Sequence, residues 1–527
     1  AWEYKGRTKD LGAAYLQLLN YSSALDNPPI LVVCDLDRFE VRTNFTNTPT
    51  KLYTFTLADL AADPSEPVRI LRALMTDPEE LRPREAADEL TGKAASHFAE
   101  LAIGLRARGE DPQRVAHFLD KLLFCLYAED AGVLPKGLLS RLAEATRADP
   151  AAFAAQLASL FGTMADAGGF FGVDRIDWFD GGLFADTDVL TMSREEIAAL
   201  LAVGRLDWSL IEPAIFGTLF ERGLDPGKRA QLGAHYTDRT SIERLVEPVV
   251  MEPLRRELVA SQVRVEELLA AGGPRAREKA LAVHHAFLAR LRSVRVLDPA
   301  CGSGNFLFVA LRKLKDLEYD AIGWGSQRFS IPMEFPQVGP EAVLGIEINP
   351  YAAELARVSI WIGEIQWMLG HSFAYRRDPV LRPLDQIRTG DALLDLTDPT
   401  HPTEADWPAA EFIVGNPPFL GGSLLRGALG GDYTEALRKV FDGTIPGFSD
   451  LCCYFHEKAR EAIAAGRTQR AGLLATQGIR GKANRTVIER IKASGDLFLA
   501  WSDEPWVLDG AAVHISLLGY DDGTETR

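Results

Sequence analysis

The chain has 527 residues, 47% of them hydrophobic, which is enough for about two to four domains with real cores. It holds no run of about 18 apolar residues, which excludes a membrane-spanning helix, and Ala1-Trp2-Glu3-Tyr4-Lys5 is not a signal peptide. A formal net charge of −17 excludes a surface that is basic throughout, so any nucleic-acid contact has to be local or to use a basic part outside this chain.

Cys34, Cys125, Cys301, Cys452 and Cys453 show no CxxC spacing. That pattern argues against structural zinc and fits a reducing, cytoplasmic setting. At the start, Trp2-Glu3-Tyr4-Lys5 reads as the tail of a strand carrying Glu-x-Lys, and Leu11, Tyr15, Leu18, Leu19 and Tyr21 follow at helical spacing. Ile30–Asp35 predicts a strand, with Phe39-Glu40-Val41 paired to it as a hairpin. Because side chains alternate along a strand, Glu3 and Lys5 share a face. A carboxylate and a lysine so placed can hold Mg²⁺ and orient a water for phosphodiester hydrolysis. A solvated strand end is the commoner reading of such a triplet. Gln17 and Tyr21 lie four apart, on one helical face.

Residues 61–222 read as a helical connector. The stretches 66–76, 84–107 and 111–130 carry apolar residues three to four apart. Asp111-Pro112-Gln113 opens the third, since proline is tolerated at the first helical position. Leu122, Leu123, Phe124, Leu126 and Tyr127 form its core face, and Glu129 and Asp130 read as a solvated or salt-bridged end. Gly168–Gly172 and Asp180-Gly181-Gly182 read as loops.

Beyond residue 223, Gly233-Ala234-His235-Tyr236-Thr237 precedes a helix starting near Ser241, capped by Asp238 or Thr240. Val294–Leu307 reads strand, glycine turn, helix. It is a strand ending in Asp298, then Pro299-Ala300-Cys301-Gly302-Ser303-Gly304, with Asn305 and Phe306 opening the helix. Such a turn lets a nucleotide-like ligand approach the backbone, and the lack of a third glycine argues against a pyrophosphate. Leu344–Asn349 gives a second strand end with Glu347 and Ile348, suited to two ribose hydroxyls. Thr389–Leu393 gives a third with Asp391 and Ala392, able to accept from an adenine amine. Then Ile413-Val414-Gly415 runs into Asn416-Pro417-Pro418-Phe419. The prolines stiffen a turn whose carbonyls face no competing N–H. The Asn416 amide oxygen and a proline carbonyl can both accept from one exocyclic amine, while Phe419 is free to stack on a flat ring. Each turn alone is more often an N-cap or a surface turn, but three acidic strand ends followed by this motif are improbable by chance.

Ser449 or Asp450 predicts a cap for a helix with Leu451, Phe455 and Ala459 on one face, and Gly472–Ala475 predicts a strand. Residues 466–492 are basic. A solvated face is the usual meaning of such a run, but beside a base pocket Arg480, Lys482 and Arg485 become candidates for DNA phosphate contact. Val513–Leu518 alternates like a last strand.

Asp298–Gly304 together with Asn416–Phe419 resembles the S-adenosylmethionine-dependent DNA adenine-N6 methyltransferases of the gamma order. In that order Gly-x-His-Tyr-Thr comes first, then the cofactor turn, then the catalytic motif. Glu3-Tyr4-Lys5 with Gln17 and Tyr21 resembles the PD-(D/E)xK nuclease fold. With the Phe124–Asp130 segment, the whole chain resembles the MmeI-like type IIL restriction–modification enzymes, which join nuclease, helical spacer, methyltransferase and target-recognition domain.

The resemblance implies an α/β fold: a Rossmann-like class I methyltransferase domain (223–527), preceded by the connector and by part of a nuclease-like domain (1–60). It implies that Tyr236 and Thr237 flank the methionine end of S-adenosyl-L-methionine. Asp298, Pro299, Ala300, Gly302, Gly304, Asn305 and Phe306 form its main turn, Glu347 and Ile348 take the ribose, and Asp391 and Ala392 the adenine. Asn416, Pro417, Pro418 and Phe419 would act on an adenine flipped out of double-stranded DNA. Glu3, as a metal ligand for Mg²⁺, and Lys5 would belong to a nuclease whose aspartate lies upstream of Ala1, and the target-recognition domain is expected beyond residue 527. The expected activity is site-specific DNA adenine methylation, with endonuclease activity in the full-length protein. The rivals are a methyltransferase of a BREX- or DISARM-type defence system and a non-catalytic DNA-binding module. The sequence does not fix an oligomeric state.

Overall fold

The computed structural model describes residues 1–6, 28–43, 51–208, 239–371 and 383–524, together with 11, 14, 15, 18 and 373, leaving out isolated positions at 36, 63, 77, 82–83, 166–167, 180–181, 207 and 509–510. Gln17 and Tyr21 lie outside the described residues. Ala1–Ala94 make one compact unit, and a second, larger one is built from Ala95 onward.

The first unit is a four-stranded sheet in the order β1 (Trp2–Tyr4), β2 (Ile30–Cys34), β3 (Arg38–Thr43) and β4 (Leu52–Thr56). β1 runs parallel to β2, with Trp2 opposite Val32, and the other pairings are antiparallel. All five residues of β2 are buried, and its unbroken Ile-Leu-Val-Val-Cys run suits a strand covered on both faces. Ile30 and Val32 pack with Val41, Phe55 and Ile70 on one side. Leu31 and Val33 pack with Leu11, Ala14 and Leu18 on the other.

The second unit opens with helices Pro112–Asp130, Leu138–Thr146, Pro150–Ala165 and Arg194–Val203. The Asp111 carboxylate accepts from the amides of Gln113 and Arg114, both at 3.0 Å, so the helix starts where the Asp-Pro pair predicts. Two expectations fail here. Gly169–Phe171 is a strand (β5), paired antiparallel with β6 (Asp174–Ile176) across the Gly172 turn, rather than part of a loop. Glu129 and Asp130 are not a solvated helix end. Glu129 is buried and accepts from the Leu139 amide, while Asp130 accepts from the Trp208 amide at 2.7 Å. Burial holds the Glu129 carboxyl up at about 7. Both carboxylates satisfy backbone donors of neighbouring segments, which are invisible to local sequence.

The rest of the unit is organised by a seven-stranded sheet. In chain order its strands are β7 (Val296–Asp298), β8 (Val343–Glu347), β9 (Ile387–Thr389), then, after the small pair β10 (Leu394–Asp395) and β11 (Thr403–Glu404), β12 (Phe412–Gly415), β13 (Arg470–Thr476), β14 (Asp496–Leu508) and β15 (Ala511–Asp521). In space the order is β14-β15-β13-β12-β7-β8-β9. Only the two pairings of β15 are antiparallel. The chain steps outward from β7 through β8 to β9, then returns to the other side of β7 with β12. The β7/β12 boundary is therefore the switch point, where open parallel sheets bind ligands at the carboxyl ends of their strands.

Helix Asn305–Phe329 follows β7 and helix Pro350–Gly370 follows β8. The helix expected near Ser241 begins earlier, at Arg239. Among the described residues no helix is long and apolar enough to cross a membrane.

Candidate active site at the sheet switch point

β7 ends in Asp298, whose carboxyl is 1% exposed and accepts from the Ala300 amide at 3.0 Å. Gly302 and Gly304 take positive φ angles of 52° and 87°, so the turn uses the left-handed conformations that glycine adopts freely. A Cβ on Gly304 would lie 3.1 Å from Ala356, so this glycine lets helix Pro350–Gly370 approach the turn. A Cβ on Gly302 would meet none of the described residues within 4 Å, which leaves space over the turn among them. Asn305 begins the following helix and Phe306 is buried in it, beside the buried Pro299 and the partly exposed Ala300 of the turn.

The next strand end lies alongside. Cys301 N donates to the Ile346 carbonyl at 3.1 Å, and the Gly302 amide donates to Glu347 Oε2 at 2.9 Å. Glu347 Oε1 accepts from Asn349 N at 2.8 Å. A carboxylate oxygen can accept more than one donor, so Glu347 retains capacity for ligand hydroxyls. Ile348, beside it, is 55% exposed at the strand end.

One strand further out, Gly390 N donates to the Glu347 carbonyl at 2.9 Å, and Asp391 Oδ1 accepts from Leu393 N at 2.7 Å and Leu394 N at 3.2 Å. Ala392 is buried below. Burial first, and then the nearby Asp391 carboxylate, hold the phenol of Tyr433, on helix Gly431–Val440, far above its usual range. Tyr433 was not singled out from the sequence, and no local pattern distinguishes it from a core tyrosine.

Electrostatically the described part of the site is dominated by its carboxyls. Burial, opposed by the Ala300 amide and reinforced by repulsion from Glu347, pushes Asp298 up to about 8. Burial also raises Glu347, against the pull of three backbone amides. Two acidic groups at one switch point, backed by the space over Gly302, suit a ligand that brings hydroxyls, amines and a positive centre.

β12 delivers the amide side chain to the same place. Phe412 pairs with Val296 and Ile413 with Leu297, which brings Gly415 beside Asp298. A Cβ on Gly415 would collide with Asp298 Oδ1, so glycine is required here by a neighbour distant in sequence. Asn416 follows, half-buried; Pro417 is buried, and Pro418 and Phe419 are half-buried. Phe419 packs against the hydrophobic cluster that includes Leu297, Ile413 and Leu420.

The loop beyond is clamped. Leu451 N donates to the Leu420 carbonyl at 2.8 Å and Gly422 N to Asp450 Oδ1 at 3.1 Å. Asp450 occupies the N-cap position of helix Leu451–Ala464, yet makes no side-chain cap hydrogen bond. Its carboxylate reaches Gly422 and, at 3.5 Å, Thr476 Oγ1 at the end of β13.

Thus Asp298, Pro299, Ala300, Gly302, Gly304, Asn305, Phe306, Glu347, Ile348, Asp391, Ala392 and Asn416–Phe419 all lie on or beside adjacent carboxyl-end turns of one sheet. Tyr236 and Thr237 lie outside the described residues. Arg480, Lys482 and Arg485 are exposed past the end of β13. Other members of that basic run serve the fold: Arg470 is buried and donates to the Pro248 carbonyl at 2.8 Å, and Arg490 pairs with the buried Glu457 at 2.7 Å. In the first unit, Lys5 Nζ lies 2.7 Å from Glu3 Oε1, so the two side chains do share a face. Among the described residues no three His, Cys, Asp or Glu side chains gather as a metal site.

Residues 275–526 match the family described as MmeI, DNA-methyltransferase domain, and residues 113–184 match MmeI, helicase spacer domain. DNA methyltransferase A of Bacillus subtilis is 25% identical over 384 residues, covering 69% of this chain and 41% of that protein. Among solved structures, the type IIL restriction–modification enzyme MmeI in complex with DNA aligns with a TM-score of 0.66 at 26% identity, over 82% of this chain and 57% of that one. The chain thus spans about half the length of these relatives. The fold around the switch point is that of a class I methyltransferase.

Proposed function

Through its helicase-spacer and methyltransferase domains the chain belongs to the MmeI-like family, and from that premise we propose that it is a site-specific DNA adenine-N6 methyltransferase of a restriction–modification enzyme, using S-adenosyl-L-methionine. The observation that carries the reading is the convergence of the Asp298–Glu347 cleft and the Asn416 turn at the β7/β12 switch point. S-adenosylmethionine, when bound, supplies an electrophilic methyl group on a sulfonium sulfur.

The chain's own residues supply position and polarity. The Gly302–Gly304 turn gives backbone close to the ligand, Glu347 accepts from ribose hydroxyls, and Asp391 accepts from the cofactor's adenine amine. Ile348 and Ala392 line the same cleft, and Tyr236 and Thr237 are assigned to its methionine end. The target adenine has to leave the duplex stack, because its amine is otherwise held in base pairing. Asn416 Oδ1 and the Pro417 carbonyl then accept the two amine hydrogens, which keeps the nitrogen lone pair directed at the methyl group. Phe419 stacks on the flipped ring. The catalytic contribution is alignment and preorganised polarity, so no general base is assigned. Arg480, Lys482 and Arg485 contact DNA phosphates.

The test is transfer of labelled methyl from S-adenosylmethionine to unmethylated DNA by the full-length protein, with the product nucleoside identified by mass spectrometry. N6-methyladenine is expected; label on cytosine, or none, would refute the reading. For the first unit, we propose a PD-(D/E)xK nuclease half-site in which Glu3 is one Mg²⁺ ligand and Lys5 orients water. Mg²⁺ in such sites needs a further carboxylate. Cleavage of supercoiled plasmid by the full-length protein, lost on Lys5→Ala, is the expected result; cutting that survives Lys5→Ala would refute it.

A further inference from the structure

Flipping an adenine out of a duplex leaves a gap in the stack, and the partner base loses its neighbour. A protein that fills the gap with an apolar wedge offsets part of that cost. Phe419, half-buried against the sheet's hydrophobic cluster, is already assigned to the flipped ring itself. The rim of the same turn carries two large apolar side chains that the fold leaves in solvent: Phe448, 74% exposed, and Leu424, 61% exposed. Single exposed apolar residues are ordinary. These two, however, lie where the chain is clamped to the catalytic turn.

A Cβ on Gly422 would collide with the Phe448 carbonyl, so backbone meets backbone at this point. Leu424 N donates to the Gly421 carbonyl at 2.8 Å in the same turn. Two residues after Phe448, Asp450 ties three pieces together. Its carboxylate accepts from Gly422 N at 3.1 Å and lies 3.5 Å from Thr476 Oγ1, and its own amide donates to Asn484 Oδ1 at 2.8 Å. Asn484 Nδ2 in turn donates to the Gly478 carbonyl at 3.2 Å, between exposed Arg480 and Lys482 on one side and β13 on the other. The Phe448 segment is therefore fixed at the carboxyl edge of the sheet, between the Asn416 turn and the basic turn. The Phe448 ring lies under the Arg438 guanidinium, 5.2 Å from its centroid.

We propose that Phe448 is the wedge that enters the duplex when the target adenine flips, stacking on the bases beside the gap while Arg438 offers positive charge to the adjacent backbone. This rests on the DNA methyltransferase reading above. An aromatic ring suits the role because every base offers a face to stack on, whatever the sequence.

The experiment uses the full-length protein. The site methylated by the wild type on unmethylated DNA is first mapped, and duplexes are made in which the target adenine faces either thymine or an abasic position. Phe448→Ala is expected to lower kcat/KM by about 10-fold or more on the paired duplex, the scale of one lost base–aromatic stack. On the abasic-facing duplex, where flipping is already easy, it should come close to wild type. Phe448→Trp should restore most of the activity, and S-adenosylmethionine affinity should be unchanged in both variants. Equal activity of Phe448→Ala and wild type on the paired duplex overturns the proposal, and so does an equal loss on both duplexes, which marks a merely structural role. If the wild type transfers no methyl to any DNA, the methyltransferase reading itself has failed, and the wedge falls with it.

Discussion

Two acidic residues on short strands of this molecule look alike in sequence and differ in what surrounds them. Glu3 in the first unit stands beside Lys5, 2.7 Å away, with side chains 30% and 27% exposed, and the chain neutralises its own charge. Asp298 in the second unit is 1% exposed, accepts from the Ala300 amide, is paired with no cation among the described residues, and sits near a second acid, Glu347. A paired, wetted carboxylate costs the fold little. A buried one without a countercharge is kept at the expense of stability, and that points to something outside the chain that completes it.

The sharpest way to break this comparison lies one strand over. Asn416→Ala should lower methyl transfer by about 100-fold or more while leaving cofactor affinity nearly unchanged, since the lost acceptor works on the target amine in the transition state. Isothermal titration and single-turnover transfer measure the two sides separately; parallel losses in both would assign Asn416 to the cofactor instead.

Next, Asp298→Asn should weaken S-adenosylmethionine binding by roughly 10- to 100-fold, the scale of a lost charge-assisted hydrogen bond, and should also stabilise the unliganded protein. The folded carboxyl titrates near 8 against an ordinary value of 3.8. The folded chain thus holds a proton that the unfolded chain has released. Native stability falls as pH rises from about 4 to about 8, and the asparagine variant escapes that loss. Thermal melts should show a gain on the order of a few kcal/mol at pH 8 that fades near pH 4. A variant less stable than wild type at pH 8 would show that the carboxylate is neutralised within the fold.

Gly415→Ala tests whether that acid is held in place by its neighbour. The added methyl meets Asp298 Oδ1, so cofactor affinity should drop roughly 10-fold, as for one displaced charged hydrogen bond. Unaltered binding would mean the carboxyl can move aside without consequence.

The smallest effect belongs to the paired end. Removing Lys5 should change stability by less than about 1 kcal/mol, because the Glu3–Lys5 bridge is partly solvated. Cofactor binding, measured alongside, should not respond; a large loss of stability would show that this pair is structural.

These contrasts also show what the sequence makes legible. β7, β8, β12 and β13 are apolar runs closed by acidic or glycine-rich turns, so local pattern finds them, and Asp111-Pro112 marks a helix start because both of its signals are local. The requirement for glycine at 415 depends on the register of β12 against β7, and that register is long-range. Glu129 and Asp130 read as a wetted helix end because their partners, the amides of Leu139 and Trp208, approach only in the folded chain. The β5–β6 hairpin was missed because Gly-Phe-Phe-Gly offers two turn residues for two strand residues, and pairing decided the outcome. Asp450 has the residue type and position of a helix cap, but its carboxylate bonds Gly422 instead.

Helix Pro112–Asp130 and helix Pro350–Gly370 are joined by polar contacts that cross from the spacer into the methyltransferase. Tyr351 Oη donates to Asp120 Oδ1 at 3.3 Å, His117 Nδ1 shares a hydrogen bond with Glu354 at 2.6 Å, and Tyr127 Oη donates to the Ile362 carbonyl at 3.3 Å. Asp120 and Tyr127 are buried, so a mismatched partner would strand polar groups away from water. As a unit of inheritance and of engineering, then, the methyltransferase does not end where its sheet begins. A chimera that borrows this domain from a relative has to bring residues 112–130 with it, or rewrite both helices together.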